Sequence, residues 1–235
     1  MLAESGGFAA APRRVAVIVA LEVERRCVRE SDGVAVRVSG PGKARATAAA
    51  ESAIAAGAAG LVSFGLAGGI APDASPGRLL LPRAVLVPDG RRFEVDTPWR
   101  ARIADALGRG FDVDDRPLLA ADEIVGTPEA KARAAETGAA AVDLESGALA
   151  EAASRAGLPF VALRAVADGP RDALPPNIAD WVDADGRSRL APVVGAALSP
   201  SRWHGLVTLA SRYGSARRTL ERAASILAER RFLLE

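Results

Sequence analysis

Short apolar runs alternate with alanine-rich segments along most of the chain. RRVAVIVAL (13–21) is a β-branched run and predicts a buried strand. GVAVRVSG (33–40) alternates apolar and polar positions and predicts a second strand. PGKARATAAAESAIAAG (41–57) predicts a helix, with Pro near its start, an Ala-rich interior and Gly at its end. LVSFG (61–65) predicts a short buried strand that runs into LAGG. RLLLPRAVLV (78–87) predicts a strand pair or one bent strand, because Pro82 lacks the N–H a ladder needs. A helix is predicted over 97–110, with Thr97 as N-cap and Pro98 at N1, and another capped helix over 127–138. PLLAADEIV (117–125) begins as a strand and ends in acids. AAAVDL (139–144) predicts a strand, ESGALAEAASRAG (145–157) a helix ending at Gly157, and PFVALRAVAD (159–168) a further strand.

This alternation predicts a single α/β domain: a central, mostly parallel, twisted mixed sheet flanked by helices. A C-terminal amphipathic helix is added to it. The division expected is a flexible tail over 1–12, the α/β domain over 13–185, and a basic helical extension over 186–235 packed on or next to the domain. Ligands of such sheets sit beyond the carboxyl ends of the strands. Four strand ends here deliver carboxylates: Glu22 and Glu24, Asp122 and Glu123, Asp143 and Glu145, and Asp168. One such end would be an ordinary helix cap; four together predict a site.

The extension carries one apolar stripe, from Leu206 through Leu209, Tyr213, Ala216, Leu220 and Ala223 to Leu227, spaced by threes and fours. Arg212, Arg217, Arg218 and Arg222 fall mostly off it. Packing on the core or on a second subunit explains the stripe; so does a helix lying on a membrane surface. Net charge sharpens this choice without settling it. The chain carries +1 overall, but residues 187–235 hold nine arginines against three acids. That excess suits an anionic surface or a solvated helix face equally.

Composition excludes more than it assigns. With 49% hydrophobic and 25% charged residues in 235, a substantial core is expected. Cys27 is the lone cysteine and His204 the lone histidine, so an intrachain disulfide, a cysteine cluster and a His-rich zinc site are all ruled out. The cysteine usage fits a reducing, cytoplasmic compartment. A peripheral position on the inner face of the membrane is the alternative that the basic helix leaves open. MLAESGGFAAAP lacks the basic start and long apolar run of a signal peptide. No segment approaches the ~18 consecutive apolar residues of a spanning helix. Aromatics at 4%, with the basic excess confined to the tail, argue against nucleic-acid binding.

From Val15 to Asp168 the chain resembles the purine nucleoside phosphorylase/nucleosidase family, and in catalytic detail its methylthioadenosine/S-adenosylhomocysteine nucleosidases. Five pieces occur in family order. AVIVALEVE stands where the family has a strand ending in glutamates, and SGPGK resembles its SGIGK loop. FGLAGGI resembles the TGSAGGL turn, AVDLES the VEMEA stretch, and LPFVALRAVAD the VPFVVVRAISD strand. Over nearly its full length, DWVDADGR and the Arg-rich tail included, the chain is also similar to hopanoid-associated phosphorylases. That subgroup is linked to release of adenine from adenosylhopane.

The resemblance implies cleavage of a purine N-glycosidic bond through an oxocarbenium-like sugar. Asp168 would be the acid that protonates the leaving base, and burial should raise its pKa. Glu24, or Glu22 in a register two residues earlier, would activate water. Glu145 would accept hydrogen bonds from the ribose 2′ and 3′ hydroxyls; a carboxylate can take both. Asp143 stands where the family often has Glu, on a shorter arm. Leu144 would pack against the sugar or base, and Arg164 would support the carboxylates. Ala67 and Gly68 would let backbone approach the purine, and Val125 would offer backbone groups to its edge. No metal or organic cofactor is implied, and phosphate is a co-substrate if the enzyme is a phosphorylase. Phosphorolysis needs anion donors. Leu66 stands where relatives often place Ser, and a nearby glutamate repels phosphate, so hydrolysis is favoured. Gly42, Lys43 and Arg25 form the alternative anion site. The expected partners are an adenosyl nucleoside, lipid-linked in one reading, and further copies of the chain in a homodimer or larger assembly. A soluble nucleosidase for methylthioadenosine and a non-catalytic nucleoside-binding protein are the competing readings.

Overall fold

The computed structural model describes residues 14–175, 178–188 and 203–234; for residues 179 and 203–210 it describes the backbone alone. The expected loose tail over 1–12 lies outside the described residues, as do positions 189–202 of the basic extension.

In chain order the elements begin with β1 (Val15–Val19), α1 (Glu22–Arg25), β2 (Val34–Val38), α2 (Lys43–Ala55) and β3 (Gly60–Gly69). β4 (Leu79–Leu80), β5 (Ala84–Leu86), β6 (Arg92–Glu94) and α3 (Thr97–Leu107) follow. Then come β7 (Val113–Asp114), β8 (Leu118–Ala120), α4 (Pro128–Ala135), β9 (Ala141–Asp143), α5 (Ser146–Ala156), β10 (Phe160–Asp168) and α6 (Trp203–Ala228). The strands form one ten-stranded sheet in the order β6-β5-β8-β9-β3-β10-β4-β7, with β1 on β3 and β2 on β1. β9 against β3, β10 against β4 and β5 against β6 are antiparallel, and the other pairings are parallel. This is the mixed, helix-flanked sheet the alternation of elements predicts.

β3 organises the rest. Its first half pairs with β1, its whole length with β10, and its last two glycines with β9. The short strand expected over 61–65 therefore continues through LAGG. The reason is steric as well as topological. A Cβ on Gly69 would lie 2.8 Å from the Ala74 Cβ and 2.9 Å from the Asp168 carbonyl oxygen, so only glycine lets the chain pass there as a strand. Register along β10 shifts between Val166 and Asp168, a bulge that re-aims the end of the strand.

One further expectation is corrected, one choice between alternatives is settled, and two strands are additional. The cap of α3 is Asp96, not Thr97: its carboxylate accepts from the Trp99 amide at 2.8 Å, and Thr97 is already helical. The 78–87 segment resolves into two strands, β4 and β5, on either side of Pro82. β6 and β7 have no counterpart in the sequence reading; at three and two residues they are too short to show a period.

α6 packs against β10 and α3. Ala216, Leu220, Ala223 and Leu227 are all at most 1% exposed, so this part of the apolar stripe is interior and is not offered to lipid. Arg217, Arg218 and Arg222 face solvent. The side chains of Leu206 and Leu209 lie outside the described residues. After α6 the chain turns through three consecutive residues of positive φ, Arg231, Phe232 and Leu233. Each such residue costs of order 1–3 kcal/mol. The turn inserts Phe232 completely into the core, edge-on to Phe64 with ring centroids 6.4 Å apart. Trp99 Nε1 donates to the Phe232 carbonyl at 2.6 Å, and Arg102 donates to those of Leu233 and Leu234. Burial and these bonds offset the strain, and they set the tail under the strand that carries Gly65. Among the described residues no helix is long and apolar enough to cross a membrane.

Candidate active site

β1 ends at Val19, and the single turn of α1 places the Glu24 side chain back over the strand end. Its Oε2 accepts from the amides of Ala20 and Leu21, each at 2.9 Å, and its Oε1 from the amide of Leu66 at 2.8 Å. Among the described residues only the Leu66 amide donates to Oε1, and a carboxylate oxygen can accept two bonds. Glu24 is 3% exposed, whereas Glu22 is half-buried, so of the two candidate glutamates it is Glu24 that joins the turn of β3. Burial pushes its pKa up; the Arg164 charge and the three amides act against that. Gly65 makes the approach possible: a Cβ there would lie 2.4 Å from Glu24 Oε1 and 2.5 Å from an Arg164 guanidinium nitrogen.

Arg164 lies on β10 opposite Gly65 and is 2% exposed. Its NH2 reaches Asp143 Oδ2 at 2.6 Å, Ser63 Oγ at 2.6 Å and Ser146 Oγ at 3.0 Å. The Ser146 amide and hydroxyl also donate to Asp143. Both Asp143 oxygens are thus engaged by protein groups, and its short arm serves Arg164 and the start of α5. Among the described residues the buried Arg164 Nε has no hydrogen-bond partner.

Glu145 is the residue before α5. Its Oε1 accepts from the Gly42 amide at 2.8 Å, across from the start of α2. Burial above all, then the Asp143 charge, raises its pKa from 4.5 to about 7, against the pull of Arg164 and Gly42. An acid that holds its proton more tightly folded than unfolded stabilises the fold below its unfolded pKa, and that stability is lost as pH rises towards its folded one. Glu145→Gln should therefore match the native protein near pH 4.5 and be more stable by about 1–3 kcal/mol at pH 8. Denaturant melts at the two pH values check this; a variant equally or less stable at pH 8 contradicts it. A destabilised carboxylate at one defined point of a well-packed fold is characteristic of a functional position.

Asp168 ends β10 beyond the bulge, level with Gly68 of β3, which in turn pairs with Val142 of β9. It is 6% exposed. A Cβ on Gly68 would meet both Asp168 oxygens and Val142 at 3.5–3.6 Å, so glycine leaves open space beside the carboxylate. Burial raises the Asp168 pKa, as expected for a proton donor. Lys131 opposes it through an ion pair to Oδ2.

The remaining candidates divide. Ala67 and Gly68 lie on β3 between Glu24 and Asp168, and half-buried Leu144 joins Asp143 to Glu145. Val125, also half-buried, packs against the small cluster of Ile70, Leu119, Ala139 and Val142. The three anion-site residues have separate partners. Gly42 gives its amide to Glu145, Lys43 pairs with Asp122 at 3.4 Å, and Arg25 lies 3.9 Å from Glu30. Asp122 and Glu123 are exposed, so of the four strand ends three carry buried acids. Sequence reasoning missed Ser63, Ser146, Gly65 and Lys131. A serine inside the apolar run LVSFG is a signal for Ser63, because a buried hydroxyl needs a partner. Lys131 left none: on an Ala-rich helix a lysine reads as solvated.

The arrangement spans the β3–β10 seam. At one end stands a buried carboxylate with a spare lone pair, and at the other a buried acid beside an open glycine. A third carboxylate lies between α2 and α5. No curated protein matches the chain. Solved structures do. A futalosine hydrolase of Helicobacter pylori is similar at TM-score 0.71 and 14% identity, over 93% of this chain and 98% of that one. The 5′-methylthioadenosine/S-adenosylhomocysteine nucleosidase of Neisseria meningitidis, in complex with methylthio-immucillin-A, is similar at TM-score 0.69 and 20% identity, over 92% and 99%. At such identities the likeness is one of fold. The family model described as the phosphorylase superfamily matches residues 27–199, most of the α/β domain and every acid of the site except Glu24, and the chain belongs to that superfamily.

Proposed function

We propose that the protein releases the base of a purine nucleoside by hydrolysis of its N-glycosidic bond. The observation that carries the choice of water is the seat of Glu24. Backbone amides at a strand end are the donors an anionic nucleophile such as phosphate would use. Here the amides of Ala20, Leu21 and Leu66 all donate to the Glu24 carboxylate. A phosphate would have to displace a buried negative group, while a neutral water needs only the free acceptor of Oε1.

Asp168 gives its proton to N7 of the base; the C1′–N9 bond breaks and its electron pair leaves with the purine. Positive charge develops on the sugar, which Glu145 holds by its 2′ and 3′ hydroxyls. Water adds to C1′ and its proton passes to Glu24. Asp143 and Arg164 hold the geometry. An adenosyl compound is the expected substrate class, and adenosylhopane, a step in hopanoid biosynthesis, is the specific candidate suggested by the resemblance of the whole chain to hopanoid-associated phosphorylases. Purine release from methylthioadenosine, S-adenosylhomocysteine and an adenosyl lipid tests the reading, with the three kcat/KM values ranking the 5′ substituents. Absence of purine from all three would contradict it.

A further inference from the structure

Lys131 is the one charged side chain recorded at 0% exposure among the described residues. It reaches inward from α4 to the far end of β10. Besides its ion pair with Asp168 Oδ2, its Nζ donates to the carbonyls of Gly169 at 2.8 Å and Asp172 at 2.9 Å. Three acceptors satisfy all three ammonium protons. The same turn is closed from its other side, where Asp172 Oδ2 accepts from the Gly169 amide at 2.7 Å. Arg212 of α6 reaches Asp172 Oδ1 at 2.6 Å. No group among the described residues donates to Asp168 Oδ1, and Gly68 leaves both carboxylate oxygens without a side chain against them.

We infer that Lys131 is a positioning residue for the acid: it holds Oδ2 and the Gly169–Asp172 turn, so that Oδ1 alone is presented to the purine. This rests on the proposed function. Its chemical sense follows from what surrounds Asp168. Burial favours the neutral acid; Lys131 from α4 and, more weakly, Arg212 from α6 favour the anion, and Asp172 favours the proton. A buried acid with no cation would hold its proton too tightly to give it up, and an acid paired in the open would not hold it at all. The lysine also fixes which oxygen carries the proton, because an oxygen engaged by an ammonium is the poorer site for it.

Lys131→Met and Lys131→Arg test this through the pH profile of purine release. Asp168 must be protonated to act, so activity falls as pH rises through its pKa. Without the ammonium that alkaline limb should move to higher pH. The maximal kcat should drop by about tenfold with KM nearly unchanged, since the acid is weaker and less well placed. The arginine variant, which keeps the charge, should keep the native limb. A Lys131→Met protein that is less stable but has the native limb and native kcat per folded molecule would overturn the inference, because that is what a purely structural lysine does. Should the methionine variant not fold, carbon NMR of the native protein decides. The Asp168 carboxyl and Lys131 Cε signals should move together in one transition, and a Cε signal indifferent to the Asp168 titration overturns the pairing. The NMR arm uses no substrate, so a native protein that releases no purine sinks the proposed function separately.

Discussion

Asp168→Asn should lower the rate of purine release by about 10²–10⁴-fold, the usual contribution of a positioned general acid, while nucleoside still binds. The substitution keeps size and most of the local bonding but removes the carboxyl proton that the leaving base would take. Lys131 could still donate to the amide oxygen, so the Gly169–Asp172 turn should stay closed. Single-turnover base release, with binding of a non-hydrolysable nucleoside analogue measured in parallel, separates chemistry from affinity. Near-normal turnover would remove Asp168 as the acid. Loss of binding in proportion to rate would make it a ground-state contact.

Glu24→Gln should be nearly as damaging, and for two reasons. The amide cannot take a proton from water, which accounts for about 10²-fold or more. It also cannot fill the seat. The carboxylate accepts from three backbone amides through two oxygens, and in the variant one of those positions becomes an NH₂ facing an N–H. A buried donor left without an acceptor costs about 1–3 kcal/mol. The variant should therefore lose both turnover and stability, whereas Asp168→Asn should lose turnover alone. Thermal melts beside base-release rates distinguish the two patterns. A Glu24→Gln protein of native stability would show that the three-amide seat is not formed in solution.

The legible part of this protein was what depends on period and on strand ends. The β-branched run at Val15–Val19, the alternation at Val34–Val38 and the apolar strand ending in Asp168 each sit where their patterns put them, and the acids that follow β1, β9 and β10 are buried. What was illegible depended on contacts between distant segments. LAGG looks like a turn, because two glycines usually mark one. It is strand because β9 and β10 crowd it from both sides. The support of carboxylates by Arg164 follows from the resemblance, whereas the part Ser146 shares with it in holding Asp143 only becomes visible once β9, α5 and β10 are adjacent. The C-terminal stripe could have faced lipid or protein. Its packing against β10, β3 and α3 decided for protein from Ala216 to Leu227, and nothing in the stripe itself could.

Water, activated at Glu24, is the proposed nucleophile. The direct test is the identity of the sugar formed from methylthioadenosine, followed by NMR in phosphate-free buffer and again in millimolar phosphate. Free 5-methylthioribose is expected at the same rate in both. Sugar 1-phosphate formed only when phosphate is present would contradict it, and would mean that Glu24 yields its three amides to the anion.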